Sequence, residues 1–212
     1  MPQTVWIARH GNRIDFVNPA WFNTAERPFD PHLSEDGIIQ AQQLAQRLKT
    51  ESIKHIFVSP FLRTVQTAHE VAEVLDLPLK LEAGLGEWLN PDWMPSMPEK
   101  LPPEVLAQKY PRIDLSYQSR LEPRYPESVA AIEQRYAKTI RLLLKEFTEE
   151  ILLVGHGAGV EWLPAALLGC VPDVNPSLCC VVKLVREGED WKMLLNGDTS
   201  HLTQSESKIR LN

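Results

Sequence analysis

Long apolar runs are missing from this sequence, and cysteine is scarce. No apolar stretch approaches the roughly 20 residues that a membrane-spanning helix needs. The opening "MPQTVWIARHG" lacks the basic start and long apolar segment of a secretory signal, so the cytoplasm is the expected location. Only 3 cysteines occur, Cys179 and Cys180 adjacent and none in C-x-x-C spacing. That excludes a disulfide framework and a zinc site, and all of them, Cys170 included, are expected as small buried hydrophobes. Positive charge is short as well: 22 Lys and Arg stand against 28 Asp and Glu, a net charge of −6. Such a chain is no general nucleic-acid binder, although a small cationic pocket remains compatible with it. Internal repeats and low-complexity tracts are also absent.

What remains is ordinary globular material, 43% hydrophobic and 24% charged, of a length that affords a sizeable core. Three short runs, "TVWIA" (4–8), "HIFVS" (55–59) and "ILLVG" (151–155), are continuously apolar, as strands buried on both faces of a parallel sheet are. Helical spacing fills the gaps. Ser34 is a cap candidate for a helix to Leu48 whose inner face carries Ile38, Ala41, Leu44, Ala45 and Leu48. Further helices are expected over 60–75, over 127–147 with Val129, Ile132, Tyr136 and Ile140 inside, and from "VGHGAG" to Leu168. "PLKLE" reads as another strand, and "SLCCVVKLV" and "DWKMLLN" as closing strands joined by a hairpin at "REGED". The alternation predicts an α/β fold with a mainly parallel sheet, in one domain over residues 1–212. Segments 11–33 and 83–126 break the alternation; loops of that length are usually lids or binding walls.

In open α/β sheets ligands bind beyond the carboxyl ends of the strands. The first run ends in Arg9, His10 and Gly11, with Arg13 close behind; the second leads through "SPFLR" to Arg63; the third ends in Gly155, His156 and Gly157. Guanidinium forks suit the oxygens of a phosphate dianion, and the glycines permit close approach of backbone and ligand. Helix N-termini after these strands would add backbone N–H groups. In such a cradle a neutral imidazole can attack phosphorus, while a second, charged histidine steadies the equatorial oxygens. Departure of an alkoxide also needs an acid. Glu87 in "GLGEWLN", beside Trp88, is the candidate, with a setting expected to raise its pKa, although Glu82, Asp92 and Glu127 are near in sequence.

In order, spacing and strand-end placement, "ARHG", "SPFLRTVQTA", "GLGEW" and "GHG" resemble the histidine phosphatase superfamily, of phosphoglycerate-mutase-like fold, over residues 5 to about 160. The resemblance implies a three-layer α/β/α sandwich and metal-independent phosphoryl transfer through phosphohistidine, without a cofactor. His10 would be the nucleophile, Arg9, Arg63 and His156 the rest of the phosphate pocket, and Glu87 the proton donor. Arg13 with Asp15, the aromatic segment behind them and "EAGLGEW" are similar to the phosphatase domains of the suppressors of T-cell receptor signalling, which implies Arg13 as a further phosphate ligand. Phosphoglycerate mutases of this family carry Glu-Ser after "RHG" and Arg-x-Tyr-Gly after the glutamate; here Asn12-Arg13 and Trp88-Leu89-Asn90 stand there, which favours a phosphatase.

The expected substrate is a small-molecule or aryl phosphomonoester, with Trp21, Trp88 and Trp93 as candidate walls. Glu127-Ser128 reads as a helix start, where Ser128 either caps the helix or helps to orient His156. Pairing through an edge strand would give a homodimer. Competing readings are a metallohydrolase, disfavoured by the lack of an H-x-x-x-H or H-x-D pair, a mutase, and a phosphate-binding pseudoenzyme, which would require Glu87 to point away from the cradle.

Overall fold

Continuously apolar strands send successive side chains to opposite faces and so build two cores. The computed structural model describes residues 3–204. Its sheet comprises β1 (Thr4–Arg9), β2 (His55–Val58), β3 (Leu79–Leu81), β4 (Ile151–Gly155), β5 (Val181–Glu187) and β6 (Asp190–Asp198). The spatial order is β3-β2-β4-β1-β5-β6; the first four run parallel and β5 and β6 antiparallel. Trp6 and Ala8 face one layer, built from α2 (Glu35–Leu48) and α3 (Leu62–Leu75). Val5 and Ile7 face the other, built from α5 (Val129–Glu146) and α6 (Gly157–Leu168). This is the expected three-layer α/β/α sandwich. Each fully buried Val, Leu, Ile or Phe contributes about 1.5–3 kcal/mol relative to an exposed one, so both faces of the central strands are anchored.

Local signals act as read. Ser34 caps α2 by accepting from the Gly37 N–H at 3.1 Å, and Ser128 caps α5 by accepting from the Ala131 N–H at 3.2 Å. The "REGED" hairpin closes through Gly188 at φ 68°. Several expectations fail at helix ends. Ile38 and Val129 lie exposed, because the first turn of α2 buries Gly37 and Gln40 instead and α5 presents its buried face only from Ile132. Cys179 and Cys180 are buried, but Cys170 is exposed: it follows the left-handed Gly169 that ends α6 at the surface. Neither long segment is wholly irregular. Segment 11–33 holds a 3-10 turn at Ile14–Phe16 and one α-helical turn, α1 (Trp21–Thr24), and 83–126 holds a 3-10 turn at Ala83–Leu85 and α4 (Pro103–Lys109).

Register sets the site. Arg9 lies opposite Gly155 and Val58 opposite Val154, so the carboxyl ends of β1, β2 and β4 are level. One residue further along β1 and β4 come His10 and His156.

Candidate active site

The level strand ends bring the two histidine rings to 5.5 Å between centroids, edge to face. His10, Arg63 and His156 are almost fully buried. His10 Nδ1 lies 2.7 Å from the Gly11 carbonyl. A carbonyl only accepts, so the proton sits on Nδ1 and Nε2 keeps its lone pair. Burial, reinforced by Arg63 and Arg9, holds the His10 pKa well below its usual 6.5, and the ring is neutral at pH 7.

Gly11 is required by packing. A Cβ there would stand 2.5 Å from the carbonyl oxygen of Gly37, which brings the first turn of α2 against the end of β1. Beside it the buried Asn12 ties the chain to α2, donating its N–H to Gln40 Oε1 at 2.8 Å and accepting the Ser34 N–H at 2.9 Å. Gly157 is less constrained, since a Cβ would meet Arg9 Nε at an ordinary 3.6 Å.

Arg9, Arg13 and Arg63 all lie close enough to His10 to act on it electrostatically. Arg9 donates through Nη1 to the Pro176 carbonyl, and its guanidinium lies over the start of α6. Arg13 forks onto Asp15 at 2.9 and 2.5 Å and packs over Phe16. Arg63, from the first turn of α3, donates Nη2 toward Glu87 Oε2 at 3.3 Å and His156 Nδ1 at 3.2 Å. Its Nε and Nη1 are buried without a hydrogen-bond partner among the described residues, although Asp30 stands 3.9 Å from Nη1. Burial, with Arg13 nearby, lowers the Arg63 pKa to about 10, which leaves it charged. Two donors thus remain for an anion.

Glu87 reaches the cradle, with Oε2 3.3 Å from His156 Nδ1. The other carboxylates considered are engaged elsewhere. Glu82 accepts from the N–H of Gly84 and Arg120, the Tyr117 hydroxyl and the Ser119 hydroxyl; Glu127 pairs with Arg135; Asp92 is exposed. The electrostatic expectation for Glu87 is reversed. Burial pushes its pKa up, but the His156 ring, Arg63 and the Trp88 N–H outweigh it and hold the carboxyl well below the usual range. His156 departs from expectation too: burial, against the pull of Glu87, lowers its pKa to about 4, so the ring is neutral at pH 7.

Sequence reasoning missed three contributors. Ser59 Oγ, not Ser128, contacts His156 Nε2, at 2.8 Å; its place in "SPFLR" directly after a strand was the available signal. The Phe61 ring packs against His156 at 5.1 Å and under the Arg63 guanidinium at 4.6 Å. Asp30 accepts the Leu62 N–H at 2.7 Å, so the expected free N–H at the start of α3 is already taken by the 11–33 segment.

A groove of about 200 Å3 opens over Arg13, Arg63 and Glu87, walled by Phe22, Phe29, Trp93 and Met94. Trp93 is therefore a wall; Trp88 packs edge-on behind it, 5.0 Å between ring centroids, while Trp21 packs on His32 and donates to the Pro28 carbonyl. Larger depressions, of about 440 Å3 beside β3 and about 610 Å3 on the outer face of α5, are lined by no histidine. Among the described residues, no three His, Cys, Asp or Glu side chains are grouped to hold a metal ion, and no helix is long and apolar enough to cross a membrane.

The histidine phosphatase superfamily (branch 1) matches residues 5–199. The chain belongs to that family. It is 32% identical over 178 residues to the transcription factor tau 55 kDa subunit of Saccharomyces cerevisiae, an alignment covering 78% of this chain and 41% of that protein. With the ecdysteroid-phosphate phosphatase of Drosophila melanogaster it shares 28% identity over 206 residues, 79% of this chain and 27% of that one. The chain thus spans less than half the length of these two relatives. A probable phosphoglycerate mutase of Yersinia pestis, GpmB, is 28% identical over 93% of this chain and 94% of its own. Among solved structures, the ecdysone phosphate phosphatase of Bombyx mori in complex with tungstate superposes with a TM-score of 0.77 at 21% identity, covering 96% of both chains. That fold is phosphoglycerate-mutase-like.

Proposed function

We propose that this chain is a cytoplasmic phosphomonoester phosphatase that works without metal or cofactor through a phosphohistidine on His10. The observation that carries this reading is the geometry at His10: the ring is buried and its Nδ1 stands 2.7 Å from the Gly11 carbonyl, which leaves Nε2 as the nitrogen with a free lone pair among cationic groups. Arg9, Arg13 and the two unpartnered nitrogens of Arg63 hold the phosphate oxygens. Nε2 attacks phosphorus as the bond to the leaving oxygen breaks, and that oxygen takes the Glu87 proton.

Glu87 is held as a carboxylate, so it must take up a proton from solvent as the substrate binds. A dianion engages Arg63 and adds negative charge beside Glu87 and His156, which raises both pKa values. His156 charged in this way supports the transferring oxygens, held in place by Ser59. Glu87, now a carboxylate again, removes a proton from the water that splits the N–P bond, and inorganic phosphate leaves.

Phe22, Phe29 and Trp93 around the groove favour an aryl or otherwise flat leaving group. A homodimer would form through the edge of β6, the outermost antiparallel strand. A second reading, a phosphoglycerate mutase, draws support from the match to GpmB along nearly the whole chain.

The test is hydrolysis of 4-nitrophenyl phosphate in the presence of a chelator by wild type and His10→Ala. Turnover that disappears in the variant is expected. Equal rates in the two proteins would remove His10 from the mechanism. Phosphoglycerate interconversion without phosphate release would move the assignment to the mutase, and faster hydrolysis of aliphatic than of aryl phosphates would end the aryl reading.

A further inference from the structure

Glu87 lies on residues 86–90, which form neither helix nor strand, yet this segment is held along one face of α5. Arg135 is buried and directs its whole guanidinium there. Nη1 donates to the carbonyls of Gly84 at 2.8 Å and Gly86 at 3.0 Å, and Nη2 to that of Glu87 itself at 3.0 Å. The remaining donors fork onto Glu127 at 2.5 and 2.8 Å. Glu127 in turn accepts the Leu89 N–H at 3.1 Å, donates its own N–H to the Leu89 carbonyl at 2.9 Å, and accepts the Trp88 indole N–H at its carbonyl at 2.9 Å. Tyr136, adjacent on the helix, donates to the Gly86 carbonyl at 2.8 Å. Gly84 packs so closely that a Cβ would stand 2.3 Å from Thr139 Oγ1.

A buried ion pair is costly to desolvate and is maintained only where further hydrogen bonds satisfy it. Here those bonds go to the backbone on both sides of a single side chain, Glu87. Neither partner of the pair touches the groove.

We infer that Arg135, locked by Glu127, is a positioning residue that fixes the Glu87 carboxyl for proton delivery to the leaving oxygen. This rests on the assignment of Glu87 as the acid. Lysine at 135 keeps the charge opposite Glu127 but presents one ammonium where the fork served three carbonyls and a carboxylate. Glu87 would then be displaced while the arginine cradle and His10 stay in place.

The experiment compares kcat/KM for phenyl phosphate, whose leaving oxygen needs a proton, with that for 2,4-dinitrophenyl phosphate, whose phenolate departs without one. Arg135→Lys is expected to lower the first by about 100-fold and the second by less than about 5-fold. In an Arg135→Lys/Glu87→Gln double variant the lysine should add no further loss. Equal losses on both substrates, or losses that multiply with Glu87→Gln, would make Arg135 merely structural and overturn the inference. If Glu87→Gln alone treats the two substrates alike, the acid assignment fails instead. Should Arg135→Lys not fold, Glu127→Gln, which keeps the shape and the Leu89 contact, is measured with the same substrates and judged by the same outcomes.

Discussion

Each of the two catalytic-motif histidines is followed by a glycine, and the structure separates the two glycines sharply. In Gly11→Ala the new Cβ would stand 2.5 Å from the Gly37 carbonyl oxygen and 3.1 Å from its carbon, both backbone atoms. Ordinary contact begins near 3.4 Å, so the end of β1 and the first turn of α2 must part by about 0.9 Å (3.4 − 2.5). Overpacking of this kind costs about 1–3 kcal/mol. The displaced group also orients the proposed nucleophile, because the Gly11 carbonyl holds His10 Nδ1 at 2.7 Å. A shift approaching 1 Å at an attacking atom lowers the rate by about 100-fold. In Gly157→Ala the nearest atom is Arg9 Nε at 3.6 Å, and nothing needs to move. There alanine lowers the entropy of the unfolded chain and should stabilise by about 0.4–1 kcal/mol. Urea denaturation and kcat/KM for an aryl phosphate measure both consequences. Gly11→Ala is expected to lose stability and activity, and Gly157→Ala to lose neither. A Gly11→Ala protein with wild-type stability and rate would refute the close-packing argument, as would equal damage from the two substitutions.

Two further predictions concern His156. Ser59→Ala strands its buried Nε2, a loss of about 1–3 kcal/mol that the urea midpoint at pH 7 should record; an unchanged midpoint would mean that the hydroxyl contributes nothing to holding the ring. The pH dependence of stability follows from the same ring. Unfolded His156 takes up a proton near pH 6.5, whereas the folded ring, with its pKa lowered to about 4, does so only well below that. Between those values the unfolded state binds more protons, so stability falls as pH falls, with a slope approaching about 1.4 kcal/mol per pH unit for each such histidine. His10 acts in the same direction, and so does the depressed Glu87 as pH falls further. Urea midpoints at pH 7, 6 and 5 should decline, and His156→Gln should flatten the slope; parallel curves for variant and wild type would refute this account.

The order of strands and helices, the layered fold and the candidate residues His10, Arg9, Arg63, His156 and Glu87 were legible in the sequence because each rests on local chemistry. Continuous apolar runs betray doubly buried strands, helical spacing betrays an inner face, and polar residues at strand ends stand out against both. Charge states were not legible. A pKa depends on everything within several ångströms, and the sequence does not say that Arg63 and His156 would meet Glu87. For that reason the expected rise at Glu87 became a fall, and His156 proved neutral. Exposure at helix ends escaped for a related reason: Ile38, Val129 and Cys170 obey the pattern of their neighbours but lie where the packed layer stops. Only the tertiary structure brought Ser59 to His156 from a separate strand, Asp30 to the start of α3 from a loop, and Arg135 to the backbone of Glu87 across about 50 residues of chain. Those partners carry no periodic or motif signal, because a hydrogen bond to a backbone group asks only that a donor and an acceptor arrive together, and arrival is decided by the fold.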